Sequence, residues 1–145
     1  VVYRSVSLKC PCPYRESKGF AMIKSMKINS CSVDIRVRIR GGQEPVFGSG
    51  ICLLLRKTEA HHSLKAAADE MGMNYKKALY IVRRAEAFYG EALLLRSTGG
   101  AGGGGSRPTP LALELIEQFE QLEAELMRCV EKLTEQTPRI FTKGT

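Results

Sequence analysis

The chain has 145 residues, 43% of them apolar, which suffices for one modest core and excludes two sizeable domains. No apolar run approaches the roughly 20 residues that cross a bilayer, and the mixed polar, basic, proline-bearing start lacks the form of a secretory signal, so a cytoplasmic protein without membrane association is expected. The net charge of +7 is uneven: residues 1–108 carry 18 Lys and Arg against 8 Asp and Glu, whereas residues 109–137 carry 2 against 7, so a body suited to a polyanion precedes an acidic segment with another task.

Residues 1–30 show no sustained period and are expected to be a poorly structured extension. Met22 and Met26 are the first methionines, which suggests that residues 1–21 lie upstream of the natural start. The five cysteines (Cys10, Cys12, Cys31, Cys52 and Cys129) are scattered, Cys10 and Cys12 are too close for a zinc pair, and His61 and His62 are adjacent rather than spaced like ligands. Inert thiols are expected, with no metal and no cofactor.

From Val33 the pattern alternates. Val33, Ile35, Val37 and Ile39 point one way and Asp34, Arg36, Arg38 and Arg40 the other, a half-buried strand ended by Gly41-Gly42, with Pro45–Gly48 as a short return strand. The arginine row reads as a solvated sheet face, although phosphate contact is open to it.

Ser49 is expected to cap a helix carrying Ile51, Leu54, Leu55 and Thr58 on one face and ending at the two histidines. Ser63 then starts a short helix, Leu64 to Met71, buried through Leu64, Ala67, Ala68 and Met71 and stopped by Gly72. Asn74 caps a third, Tyr75 to Tyr89, with Ala78, Leu79, Val82, Ala85 and Tyr89 inward and Lys76, Lys77, Tyr80, Arg83 and Arg84 outward. An alanine-rich short helix, a glycine turn and a helix with a basic outer face make a helix-turn-helix, whose second helix can lie in the major groove of DNA. Residues 31–108 are expected to form this domain.

After Gly90 comes an extended apolar run, Ala92 to Leu95, then Arg96, a glycine tract with six glycines in the seven positions 99–105, and Arg107. Composition alone leaves a flexible linker and a glycine-tipped hairpin equally open. Its place behind a basic recognition helix favours the hairpin, the wing of a winged helix, with Arg96 and Arg107 near the DNA backbone or minor groove.

Residues 109–137 read as one long helix. Leu115, Phe119, Leu122, Leu126, Cys129 and Leu133 follow alternating steps of four and three, a coiled-coil seam longer than the small core can cover, so a homodimer is expected. Residues 138–145 are expected to be a flexible tail.

Several of these stretches, in this order, resemble the N-terminal DNA-binding domain of ModE-type molybdate-responsive transcriptional regulators: Ser63-Leu64-Lys65-Ala66-Ala67-Ala68, Met71-Gly72-Met73-Asn74-Tyr75, Phe88-Tyr89-Gly90-Glu91-Ala92-Leu93, and the tract 98–106 followed by Thr109-Pro110. The resemblance covers about residues 33–130 and implies a winged helix-turn-helix akin to that of LysR-type regulators. Leu79 stands where the family usually has Trp, Pro108 where it has Leu, Ala112 where a glycine is common, and His62 where it has Gly. The family's molybdate-binding module of paired small β-barrels has no counterpart after Lys132, so molybdate binding is not expected.

The fold class expected is mainly α with a small β component: a winged helix-turn-helix with an N-terminal hairpin and a long C-terminal dimerisation helix. The function expected is sequence-specific binding of double-stranded DNA by a homodimeric regulator through Ser63, Asn74, Tyr75, Lys76, Lys77, Tyr80, Arg83, Arg84, Arg96 and Arg107. A protein–protein adaptor and an accessory protein of molybdenum metabolism are the alternatives. An enzyme is not expected, because no nucleophile, base and orienting group can be placed in one site.

Overall fold

The computed structural model describes residues 24–29, 31–97, 99, 104–136 and 138–142. The order is β1 (Lys24–Ile28), β2 (Cys31–Ile35), β3 (Arg38–Gly41), β4 (Glu44–Gly48), α1 (Ser49–His61), α2 (Leu64–Glu70), α3 (Tyr75–Tyr89), β5 (Leu94–Arg96), β6 (Ser106–Pro108) and α4 (Pro110–Gln136), then a 3-10 turn at Pro138–Phe141. Among the described residues the fold is mainly helical with three two-stranded antiparallel hairpins, β1–β2, β3–β4 and β5–β6.

The alternating run from Val33 to Arg40 keeps its polarity: its apolar residues are half-buried and its charged residues exposed. It is not one strand. Arg36 and Val37 interrupt it, the first half pairing with β1 and the second with β4. Lys24–Ile28, expected within the unstructured extension, is thus a strand, with Met26 opposite Val33 and Ile28 opposite Cys31. The expected β3–β4 hairpin is present, and its register slips where Arg40 meets Pro45, so Val46 is the extra residue of a bulge. Proline tolerates such a place because a bulge leaves a ladder donor unused. Residues 1–23, including Cys10 and Cys12, lie outside the described residues.

The core collects Phe47 from β4, Ile51, Leu54 and Leu55 from α1, Leu64, Ala67 and Ala68 from α2, and Ala78, Val82 and Ala85 from α3. Ala67, Ala68 and Ala78 are fully buried, and their single methyl groups let the short helix sit close against the next one. Ser49 was expected to cap α1, but it is the first helical residue. Gly48 occupies the cap position and makes no side-chain cap bond, and the Ser49 hydroxyl instead donates to Glu123 Oε1 at 2.7 Å.

α4 contributes Ala112, Ile116 and Phe119 to the same core. Phe119, expected in the dimer seam, is only 4% exposed and packs edge-on to Phe47, with ring centroids 5.5 Å apart. Arg56 of α1 grips Glu120 with both ends of its guanidinium, Nε to Oε1 at 3.2 Å and an amine to Oε2 at 3.0 Å. That carboxylate, first through its hydrogen bond, pushes the Arg56 pKa above its ordinary value. Beyond Glu123 the helix leaves the core. Leu122 is partly exposed, Leu126 half-buried, Cys129 exposed and Leu133 57% exposed, while Leu115 packs partly on the core. Pro138–Phe141, expected in a flexible tail, is a helical turn whose Phe141 carbonyl accepts from Cys31 Sγ at 3.5 Å. Residues 143–145 of that tail are outside the described residues.

His62 ends α1 in the left-handed conformation, φ 53° and ψ 27°. An L-residue with a Cβ carries a steric cost there that glycine escapes. His62→Gly is therefore expected to raise stability by about 0.5–1 kcal/mol, the relief of that cost less the greater chain entropy of glycine. Urea unfolding of the two proteins checks it.

Candidate nucleic-acid interface

The helix-turn-helix is built by local signals that the sequence carries openly. Ser63 Oγ accepts the Ala66 amide at 3.2 Å, and Asn74 Oδ1 accepts the Lys77 amide at 2.8 Å, so each side chain satisfies a free N–H at the start of its helix. Between them Gly72 takes φ +66°, closing α2 against α3 with the Met73 amide bonded back to the Ala68 carbonyl at 2.9 Å. The oxygens of Ser63 and Asn74 are thus occupied in holding the helices. What remains for a ligand at Asn74 is its amide nitrogen.

The outer face of α3 is solvent-facing along its length. Lys76, Lys77 and Arg83 are exposed, Tyr75 is 41% and Tyr80 62% exposed. Arg84, expected among the outward cations, is different. Its guanidinium lies 5.6 Å from the Tyr80 ring centroid, and one amine donates to Glu44 Oε2 of β4 at 3.1 Å. Glu44 lies 40 positions away in sequence, so no local pattern announces the pair.

The wing exists as a short hairpin, with Leu94 opposite Pro108, Leu95 opposite Arg107 and Arg96 opposite Ser106. Directly opposed residues share a face and consecutive residues alternate, so Arg96 and Arg107 project from opposite faces. Both are exposed. The tip end of the ladder is stapled to the turn between α1 and α2 by the Ser106 amide, which donates to the His62 carbonyl at 2.9 Å. Gly104 runs so close to the opposite arm that a Cβ there would fall 2.6 Å from the Ser97 carbonyl oxygen. Of the expected tip, Thr98 and Gly100–Gly103 lie outside the described residues.

Two side chains that the sequence reading passed over hold the wing's root. Glu86 of α3 accepts the Leu93 amide at 2.9 Å and the Leu94 amide at 3.3 Å. Thr109 donates its hydroxyl to the Ala92 carbonyl at 2.8 Å, accepts the Ala112 amide at 3.2 Å, and donates its own amide to the Leu93 carbonyl at 3.0 Å. The motif Thr109-Pro110 did signal a helix start, since Thr caps and Pro fits the first turn. Nothing in it signalled the bond to Ala92. Pro108 lacks an N–H but faces Leu94 at a non-hydrogen-bonded pair, so the ladder loses no bond there and continues with the Thr109 amide on the Leu93 carbonyl.

Among the described residues no group of three His, Cys, Asp or Glu side chains converges as a metal set, and no helix is long and apolar enough to cross a membrane.

No family model matches the chain. Over 61 residues, 42% of the chain, it is 39% identical to a protein of Herbaspirillum seropedicae described as molybdenum transport protein ModE. The chain spans about a quarter of that relative's length, the matched part being 23%.

Thr109 sits 7% exposed at the wing's root, so its hydroxyl has no water to replace lost partners. Thr109→Val, which keeps the shape and deletes the oxygen, is expected to destabilise the fold by about 1–3 kcal/mol, with Thr109→Ser retaining most of the stability. Urea denaturation of both variants is the measurement.

Proposed function

We propose that the chain binds double-stranded DNA as a homodimeric transcriptional regulator, with α3 in the major groove and the β5–β6 hairpin on the backbone or minor groove. The observation that carries this reading is the exposed basic face of α3, Lys76, Lys77, Tyr80 and Arg83, on the second helix of a pair held close by buried alanines. A helix so presented can reach base edges with its first turn and phosphates with its later ones. In this reading Asn74 and Tyr75 face bases, Lys76, Lys77 and Tyr80 face bases and the nearest phosphates, and Arg83 and Arg84 hold the backbone. Ser63, at the start of α2, lies beside the phosphate path.

The opposite orientation of Arg96 and Arg107 favours an edge-on approach of the wing. A hairpin lying flat on the backbone would use one arginine, whereas a hairpin entering a groove sets one against each wall. For the dimer, the outer part of the seam, with Leu122, Cys129 and Leu133 exposed and Leu126 half-buried, supplies an apolar strip on α4 beyond the protomer's own core. The resemblance of the sequence to the DNA-binding domain of ModE-type regulators favours DNA over other polyanions, and the similarity to a protein named ModE agrees with that resemblance. Molybdate is assigned no site on this chain.

Cations that neutralise phosphates release bound counterions, so affinity falls with salt in proportion to the number of contacts. Lys76→Ala and Arg83→Ala are each expected to weaken duplex binding and to reduce the slope of log K against log salt by about one. Fluorescence anisotropy of a labelled mixed-sequence duplex across a salt series measures this. Binding by the unaltered protein that is absent, or that does not weaken with salt, contradicts the proposal.

A further inference from the structure

A cavity of about 250 Å³ opens between the β3–β4 hairpin, the start of α1 and the side of α3, and of its lining only Arg84 is shared with the duplex contact proposed above. Its floor is apolar, formed by Val37, Pro45, Ile51 and Ile81, and its rim is cationic, formed by Arg36, Arg38 and Arg84. Arg36 and Arg38 stand two positions apart on one face of the β2–β3 run, both exposed. Neither forms an ion pair among the described residues.

Arg84 is only partly satisfied. Glu44 takes one of its amines, while its Nε is sealed from solvent and has no hydrogen-bond partner among the described residues. A donor so sealed does not face the cavity, and what a ligand can reach of Arg84 is the part of its side chain that stays exposed, 26%. The first turn of α1, at Ser49 and Gly50, lines the same space, with no acidic residue in it and no side-chain cap at Gly48. Its outward N–H groups add positive potential. A Cβ at Gly50 would meet nothing within 4 Å, so the approach there is open. Two carboxylates stand against this field, Glu44 on Arg84 and Glu123 on the Ser49 hydroxyl.

We propose that this cavity binds a small organic carboxylate with an apolar body, of the size of an aromatic or medium-chain acid. Its carboxylate meets Arg36, Arg38 and Arg84, and its body lies on Ile51 and Ile81. An inorganic anion would use the rim and leave the floor in water. A neutral apolar molecule would cover the floor and leave the guanidinium groups of Arg36 and Arg38 with less water and no counter-charge. A ligand with both halves uses both, as small-molecule sites commonly combine apolar walls with a few placed charges.

Isothermal titration of the intact protein, with no DNA present, separates these cases and is independent of the duplex proposal. The probes are 1-naphthoate, 1-naphthalenemethanol and inorganic phosphate. The expected result is that 1-naphthoate binds at least about tenfold more tightly than either of the others. Replacing both exposed arginines, Arg36→Gln with Arg38→Gln, is expected to weaken 1-naphthoate by about tenfold without changing the melting temperature of the free protein. No binding of 1-naphthoate, equal binding of the alcohol, or equal binding of phosphate overturns the proposal. A double variant that folds normally and binds as tightly as the original does so too.

Discussion

The hydroxyl and amide of Thr109 together make three hydrogen bonds, to the Ala92 carbonyl, the Ala112 amide and the Leu93 carbonyl, and those bonds join three elements at one buried point. Glu86 meets the same segment from the other side by accepting the Leu93 and Leu94 amides. The end of α3, the root of the wing and the first turn of α4 are therefore fixed relative to one another by these hydrogen bonds, made by groups that are buried or half-buried for the most part. Leu93, fully buried, lies at the centre of this clasp. The cluster sets the distance from α3 to the β5–β6 hairpin, and the proposed engagement of one stretch of duplex by both requires that distance to be constant.

The residues of α4 are divided along its length as well as around it. Its first half is bolted to the domain by Ala112, Ile116 and Phe119 in the core, by the forked Arg56–Glu120 pair, and by Glu123 on the Ser49 hydroxyl. The Glu123 bond also brings a carboxylate to the N-terminus of α1, where Gly48 offers no cap of its own and negative charge is favoured. The second half carries the exposed remainder of the heptad seam. A partner held there would be rigidly placed with respect to the α3 of its own protomer, because no loop intervenes between the domain and α4's far end.

Much of this was legible in the chain because it rests on local chemistry. Caps at Ser63 and Asn74, the stop at Gly72 and the alternating burial from Val33 to Arg40 each follow from near neighbours and are present in the structure, although the one strand expected from that alternation is split at Arg36 and Val37. What escaped depends on groups distant in sequence. The periodicity that placed Phe119 in a dimer seam is equally that of a core helix, and only the position of Phe47 decides between them. Ser49 looks like a cap until Glu123, 74 positions on, claims its hydroxyl. The strand Lys24–Ile28 has no strict alternation of its own and is defined by its pairing with β2. In the candidate interface, the basic face of α3 was readable from spacing alone, whereas the tie between Arg84 and Glu44 was not.

The placement of a duplex against α3 and the wing is tested most directly by amide hydrogen exchange with and without double-stranded DNA. The account predicts slowed exchange at residues 74–84 and at the two arms of the wing, 94–97 and 104–107, with residues 126–136 of α4 unaffected by the DNA. Protection confined to α4, or a duplex that protects neither α3 nor the wing, would contradict it.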